Sequence, residues 1–140
     1  MENKKLGGGI ITISVIYLVT LGFGLLTSIG SFAMLDEINS TAAQFGLPET
    51  TTVDLIISIV LNSLLLAGVI LILCKKKFGV YTFFTVIIVN IIHSLIMNGF
   101  NVATLIGALS SLILPGLLAF FVYKKKYIFG FENNENNLNA

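Results

Sequence analysis

A triplet of lysines divides this sequence and limits what it can fold into. Lys75, Lys76 and Lys77 stand between two long apolar runs, residues 53–74 and 78–97. A lysine at the centre of a bilayer costs about 2.5–3.5 kcal/mol of insertion free energy, so three in succession do not lie in the hydrocarbon. The triplet therefore predicts a turn in water between two membrane-spanning helices.

The composition identifies the lipid bilayer as the expected surroundings of the chain. The 140 residues are 56% hydrophobic and 11% charged, whereas a soluble domain is about 25% charged. A soluble chain of this size lacks the volume to bury so much apolar surface. The net charge of +1, without a basic patch interleaved with aromatic residues, predicts no nucleic-acid partner.

The apolar runs predict four spans, at residues 8–34, 53–74, 79–97 and 102–123, within a single membrane domain covering residues 1–131. The first run is about twice the length of a signal peptide's apolar region, so we expect it to be an uncleaved span. The expected fold is all-α, a polytopic transmembrane four-helix bundle. The tail, residues 132–140, is mostly Asn and Glu, and we expect it to be disordered.

Two of the connections between the predicted spans contain residues that predict local structure. The long connection, residues 35–52, is expected outside the cell, with a short interfacial helix over residues 36–45. Thr51 and Asp54, three residues apart, predict a capping box at the start of the second span. Residues 98–101 predict a tight turn, which makes the third and fourth spans antiparallel neighbours.

Lysine asymmetry predicts the orientation. All eight basic residues are lysines, and they lie near the N-terminus, at residues 75–77 and at Lys124, Lys125 and Lys126. The region 36–54 holds four acids and no lysine. The positive-inside rule then predicts that both termini are cytoplasmic. The absence of Arg and the abundance of Ile and Asn suggest an AT-rich bacterial genome, hence a bacterial cytoplasmic membrane.

Four stretches resemble small four-span membrane proteins of Gram-positive bacteria. They are Lys-Lys-Leu-Gly-Gly-Gly at 4–9, Lys-Lys-Lys-Phe-Gly-Val-Tyr at 75–81, Met-Asn-Gly-Phe at 97–100 and Lys-Lys-Lys-Tyr-Ile-Phe-Gly-Phe at 124–131. The resemblance implies a four-span protein and assigns no activity or site residue. A shift of 49 residues also superposes the two lysine triplets, and either duplication of a hairpin or chance matching of apolar residues explains it.

Polar residues inside the spans are the candidate site. Counting at 1.5 Å per residue puts them at a similar level, about 7–14 Å from the ends remote from the lysines. The cluster comprises Thr27, Ser28, Asn62, Asn90, His93, Ser94, Ser110 and Ser111. We favour interhelical hydrogen bonding as their role. The alternative is a polar ligand or ion cavity, with His93 as a proton-sensitive or ligand-contacting group.

Small residues and a proline form two further patterns. Thr20 and Gly24 in the first span, and Gly107 and Ala108 in the fourth, predict close helix packing within the bundle. The alternative is a face for a partner membrane protein or a second copy. Pro115 and Gly116 lie together inside the fourth span. We interpret them as a static kink rather than a gating hinge.

Nothing in the sequence favours an enzyme. There is no catalytic, metal-ligand or phosphate-loop motif, and no cofactor is expected. Cys74 and His93 are expected near opposite membrane faces, which rules out a Cys–His pair. The leading hypothesis is an accessory or interaction protein of a membrane complex. The alternative is a subunit of a small-solute or ion transporter or channel that uses Asn62, Asn90 and His93.

Overall fold

The computed structural model describes residues 5–131, and this part of the chain is helical without strands. Its elements are α1 (Gly8–Ala33), α2 (Leu35–Gln44), α3 (Thr52–Leu73), α4 (Lys77–Asn98), α5 (Val102–Ser111), α6 (Ile113–Lys124) and a closing 3₁₀ turn, Lys126–Phe129. Four segments are long and apolar enough to cross a membrane: α1, α3, α4 and α5 joined to α6. The all-α class is confirmed, and the predicted disorder of 132–140 concerns residues outside the described part.

The helices pack around an aromatic centre. Phe83 is fully buried, and its ring meets Tyr17 edge to face at 5.0 Å and Phe84 at 5.3 Å. The central helix α3 packs against both α1 and α4, α5 packs against α4, and α6 packs against α1. Because α5 and α6 contact different neighbours, the fourth span crosses from α4 at one end of the bundle to α1 at the other.

The helices α3 and α4 form a hairpin that is closed by a hydrogen-bonded turn. Lys75 and Lys76 donate backbone N–H groups to the carbonyls of Ile72 and Leu71, which is the Schellman pattern of helix termination. Lys75 has φ +60°, a conformation that glycine adopts more readily than any other residue. The predicted turn between the two helices is confirmed, and it is short, because α3 ends at Leu73 and α4 begins at Lys77.

The connection at the other end of the bundle is held by side-chain hydrogen bonds. Asn39 in α2 donates to the Thr50 carbonyl at 3.0 Å and accepts from the Thr50 N–H at 2.8 Å. The capping box at Thr51 and Asp54 is confirmed, with both reciprocal bonds present. These contacts fix the direction in which α3 enters the bundle, and α2 confirms the predicted short helix in this connection.

The fourth span is interrupted at Leu112, between α5 and α6. Pro115 has no N–H to donate to the carbonyl of Ser111, which lies four residues earlier. Helical bonding resumes when the Gly116 N–H donates to the Leu112 carbonyl at 2.8 Å. The interruption thus lies one turn before the proline, on the side where the hydrogen bond is lost.

Charges are separated between the two ends of the bundle. The antiparallel helices place Lys5 and the triplets 75–77 and 124–126 at one end, which we call the lysine end. Lys77 lies 5.9 Å above the Phe131 ring there. Asp36, Glu37, Glu49 and Asp54 lie at the opposite end, the acidic end. Within residues 5–131, every acid is at the acidic end and every lysine at the lysine end.

Candidate functional site

The bundle is closely packed toward the lysine end and open toward the acidic end. Buried residues of α4 fall in its first half, at Gly79, Val80, Phe83 and Val86, whereas its second half buries none. The α5 helix contributes no buried residue at all. An opening therefore lies between α4 and α5.

The open end contains a polar cleft, defined by three adjoining cavities that share Ser94. They measure about 220, 310 and 470 Å³. The smallest lies between α4 and α5, and the other two lie beneath the connection 47–50. Six residues of the candidate cluster and the small-residue set line the cleft: Asn90, His93, Ser94, Gly107, Ala108 and Ser111.

His93 and Asp54 line the same part of the polar cleft, with Asn90 beside them. The Nε2 atom of His93 is buried and has no hydrogen-bond partner among the described residues. A buried polar atom without a partner costs about 1–3 kcal/mol. Asn90, which borders both this cavity and the gap against α5, likewise has no side-chain hydrogen bond to another group in residues 5–131. The unpartnered His93 Nε2 atom and the amide group of Asn90 therefore line the same cavity.

The hydroxyl groups of the cluster bond locally. Ser28 and Thr27 both donate to the Gly24 carbonyl, at 2.8 and 2.9 Å. Ser111 donates to the Ala108 carbonyl at 2.7 Å. Such bonds to the preceding turn satisfy a hydroxyl without involving a second helix. Within the described chain, no cluster residue donates a side-chain hydrogen bond to a different spanning helix.

Other predicted residues, from the cluster and from the small-residue set, lie apart from the polar cleft. Asn62 faces α1, where a methyl group at Gly24 would lie 3.7 Å from its Nδ2 atom. Thr20, Thr27 and Ser110 are exposed on the outside of the bundle. The predicted set therefore divides into an α4–α5 group that includes His93 and an α1–α3 group around Asn62.

Two glycines that the sequence patterns did not single out set the closest helix approach. A methyl group at Gly79 would lie 2.5 Å from the Leu71 Cβ, and one at Gly68 would lie 3.1 Å from the Phe83 backbone nitrogen. At Gly107, by contrast, an added Cβ would meet nothing within 4 Å. The sequence contained one indication of their packing role, which is their position: both glycines lie within nine residues of the lysine turn.

The polar cleft combines neutral polar groups with acidic ones. Within residues 5–131 no group of three His, Cys, Asp or Glu side chains could hold a metal ion. Cys74 is exposed at the lysine end, far along the bundle from His93. The cleft offers amide, hydroxyl and imidazole groups beside the carboxylates of Glu49 and Asp54.

Comparison with known proteins supplies no relative that would assign a function to these residues. Neither protein-family models, nor curated proteins, nor solved structures match the chain.

Proposed function

We propose that this chain is an accessory or interaction protein of a membrane complex in the bacterial cytoplasmic membrane, with both termini in the cytoplasm. The four long apolar segments support a multi-pass protein. The gathering of lysines at one end of the bundle supports the orientation through the positive-inside rule. The proposed partner is another membrane protein, and it inserts a transmembrane helix beside α5.

The observation that carries the proposal is the polar gap between α4 and α5. Asn90 and Ser111 line it at a depth of about 12–14 Å by residue count, and Ser94 lines it at about 6 Å. Polar groups at such a depth are costly unless they have hydrogen-bond partners. Gly107 and Ala108 present little side-chain bulk on the α5 wall, so a partner helix bearing hydroxyl or amide groups can approach the backbone closely.

A leucine at Gly107 tests this proposal. Gly107 is exposed and nothing lies within 4 Å of an added Cβ, so the substitution starts in open space, and the leucine would occupy the space needed by a partner helix. We expect recovery of the co-purified partner to fall about tenfold, which corresponds to about 1.4 kcal/mol and lies within the usual cost of overpacking. The measurement is quantitative mass spectrometry of complexes isolated at native expression.

Gly30→Leu is the matched control, because Gly30 is exposed in α1 and its added Cβ also meets nothing. The control is expected to retain the partner. Equal recovery from the wild type and both variants, or equal loss in both variants, would contradict docking at the α4–α5 gap.

The second candidate is a subunit of a small-solute or ion transporter or channel. The unpartnered Nε2 atom of His93 and the neighbouring amide group of Asn90 favour it, because both line a cleft that a solute could enter from the acidic end. Against it, Asn62 lies apart from the cleft, and the bundle is filled by apolar side chains around Phe83 toward the lysine end. Conduction would thus require several copies of the chain. Solute flux into liposomes that contain the purified protein alone would favour this candidate over the first.

Reporter fusions test the orientation. We expect a reporter at residue 140 or after residue 78 to be active in the cytoplasm, and one inserted near residue 45 to be active outside. The physical reason is that the lysine end resists translocation across the membrane. A C-terminal reporter active only on the outer side would overturn the topology.

A further inference from the structure

A second opening lies at the lysine end, between α4 and α6, and we call it the lysine-end slot. Its volume is about 340 Å³, and its apolar walls are Val80, Phe84, Ala119, Val122 and Phe131. Tyr123 and Lys126 are the polar residues that line it. Ala119 and Tyr123 are one helical turn apart, so the slot extends along the bundle axis rather than lying flat across its end.

Two lysines flank this slot. The Lys77 ammonium lies 5.9 Å from the centre of the Phe131 ring, and Phe131 is part of the wall. Lys126 lines the slot directly, and its ammonium lies 5.2 Å from the Tyr123 ring. Cation–π contacts of this kind hold an ammonium group near an aromatic surface. Lys126 thus borders the slot itself, and Lys77 lies beside its Phe131 wall.

The surrounding charge has the same sign. Seven lysines lie at this end within residues 5–131, while four of the chain's seven acids lie at the acidic end. The remaining three acids are too few to neutralise the lysines wherever they are placed. The net positive charge of the lysine end therefore favours an occupant that combines an apolar part fitting between Phe84 and Ala119 with a negatively charged group.

We propose that the lysine-end slot binds one anionic phospholipid. One acyl chain lies between α4 and α6, and the phosphate group is held near the ammonium groups of Lys77 and Lys126. Basic pockets between transmembrane helices recognise anionic headgroups through this combination of features. The site is distinct from the polar cleft, and it stands whether or not a partner helix docks beside α5.

The test measures binding of dioleoyl phosphatidylglycerol and dioleoyl phosphatidylcholine to the full chain in neutral detergent, by native mass spectrometry. The double variant K77Q/K126Q removes both flanking charges. Each lysine near a headgroup contributes about fivefold in affinity, so we expect phosphatidylglycerol affinity to fall about 25-fold. The control K76Q/K124Q removes the same charge from the same end without altering the slot, and its affinity should change by less than about threefold.

A variant that fills the slot separates a bound lipid from general attraction to the lysine end. Ala119→Phe is expected to displace phosphatidylglycerol while leaving every charge in place, whereas Ala67→Phe, at an exposed position of α3, should not. Unfolding temperatures of all variants are compared in the same detergent to confirm that they are folded. Equal losses in the two lysine double variants, equal binding of phosphatidylcholine, or unchanged binding by folded Ala119→Phe would each overturn the proposal.

Discussion

Replacing Gly79 with alanine is expected to destabilise the bundle by about 2–3 kcal/mol, in the range of overpacking substitutions. The added methyl group would lie 2.5 Å from the Leu71 Cβ and 2.7 Å from the Ile72 backbone nitrogen. A backbone atom cannot move aside as the end of a side chain can. The start of α4 must therefore separate from the end of α3, and contacts along the hairpin are weakened.

The measurement is reversible unfolding in mixed micelles, with Gly22→Ala as the control. Gly22 lies within α1, and an added Cβ there meets nothing within 4 Å. Alanine is favoured over glycine inside a helix by about 1 kcal/mol, so the control should be neutral or slightly stabilising. A lower unfolding free energy for Gly79→Ala and a higher one for Gly22→Ala would establish that the close approach of α3 and α4 causes the loss of stability. Equal stability of the two variants would show that the hairpin is looser than described.

Replacing Phe83 with alanine is the second substitution with a large expected effect, a loss of about 3 kcal/mol. Its fully buried ring contacts Tyr17 and Phe84 edge to face. In soluble proteins the same substitution costs about 3–5 kcal/mol. The lower end of that range applies here because the side chain moves from lipid, rather than from water, into the bundle when the helices associate. The main contribution to the lost unfolding free energy is then the cavity that the substitution creates.

Phe23→Ala is the matched control, since Phe23 is also in a spanning helix but is 67% exposed on the outside of the bundle. We expect its unfolding free energy to change by less than about 0.5 kcal/mol, the usual limit for surface substitutions. Unfolding of both variants in the same lipid mixture provides the comparison. A loss at Phe23 as large as that at Phe83 would mean that the ring contacts contribute nothing specific.

The sequence predicted the position of each span along the chain because insertion energy depends on composition within a short window. Lys75–Lys77 and the residues 98–101 locate two turns, and Thr51 with Asp54 locates a helix start, through chemistry confined to a few neighbouring residues. The proline effect is equally local, and it interrupts the fourth span at Leu112. These features required no knowledge of which helix lies beside which.

The arrangement around the helix axes could not be predicted in the same way. Counting residues gives the depth of Asn62 and Asn90, which is similar. The spacing of Asn90, His93 and Ser94 places them on one face of α4, but neither spacing nor depth indicates which helix a polar residue faces. In the structure Asn62 faces α1 and Asn90 faces α5. The close contacts at Gly68 and Gly79 were missed for the same reason, since a glycine shows its packing role only when the facing helix is known.

Position 75 has two requirements, a positive φ and a positive charge, and no genetically encoded residue satisfies both without steric cost. The backbone at this position has φ +60°, where an ordinary L-residue is disfavoured by about 1–2 kcal/mol relative to its right-handed conformation. Glycine would remove that steric cost but would also remove one of the positive charges on which the proposed orientation depends. A D-lysine, introduced by chemical synthesis, favours positive φ and keeps its ammonium group. The mirror-image residue would therefore separate what the turn contributes to folding from what it contributes to membrane insertion.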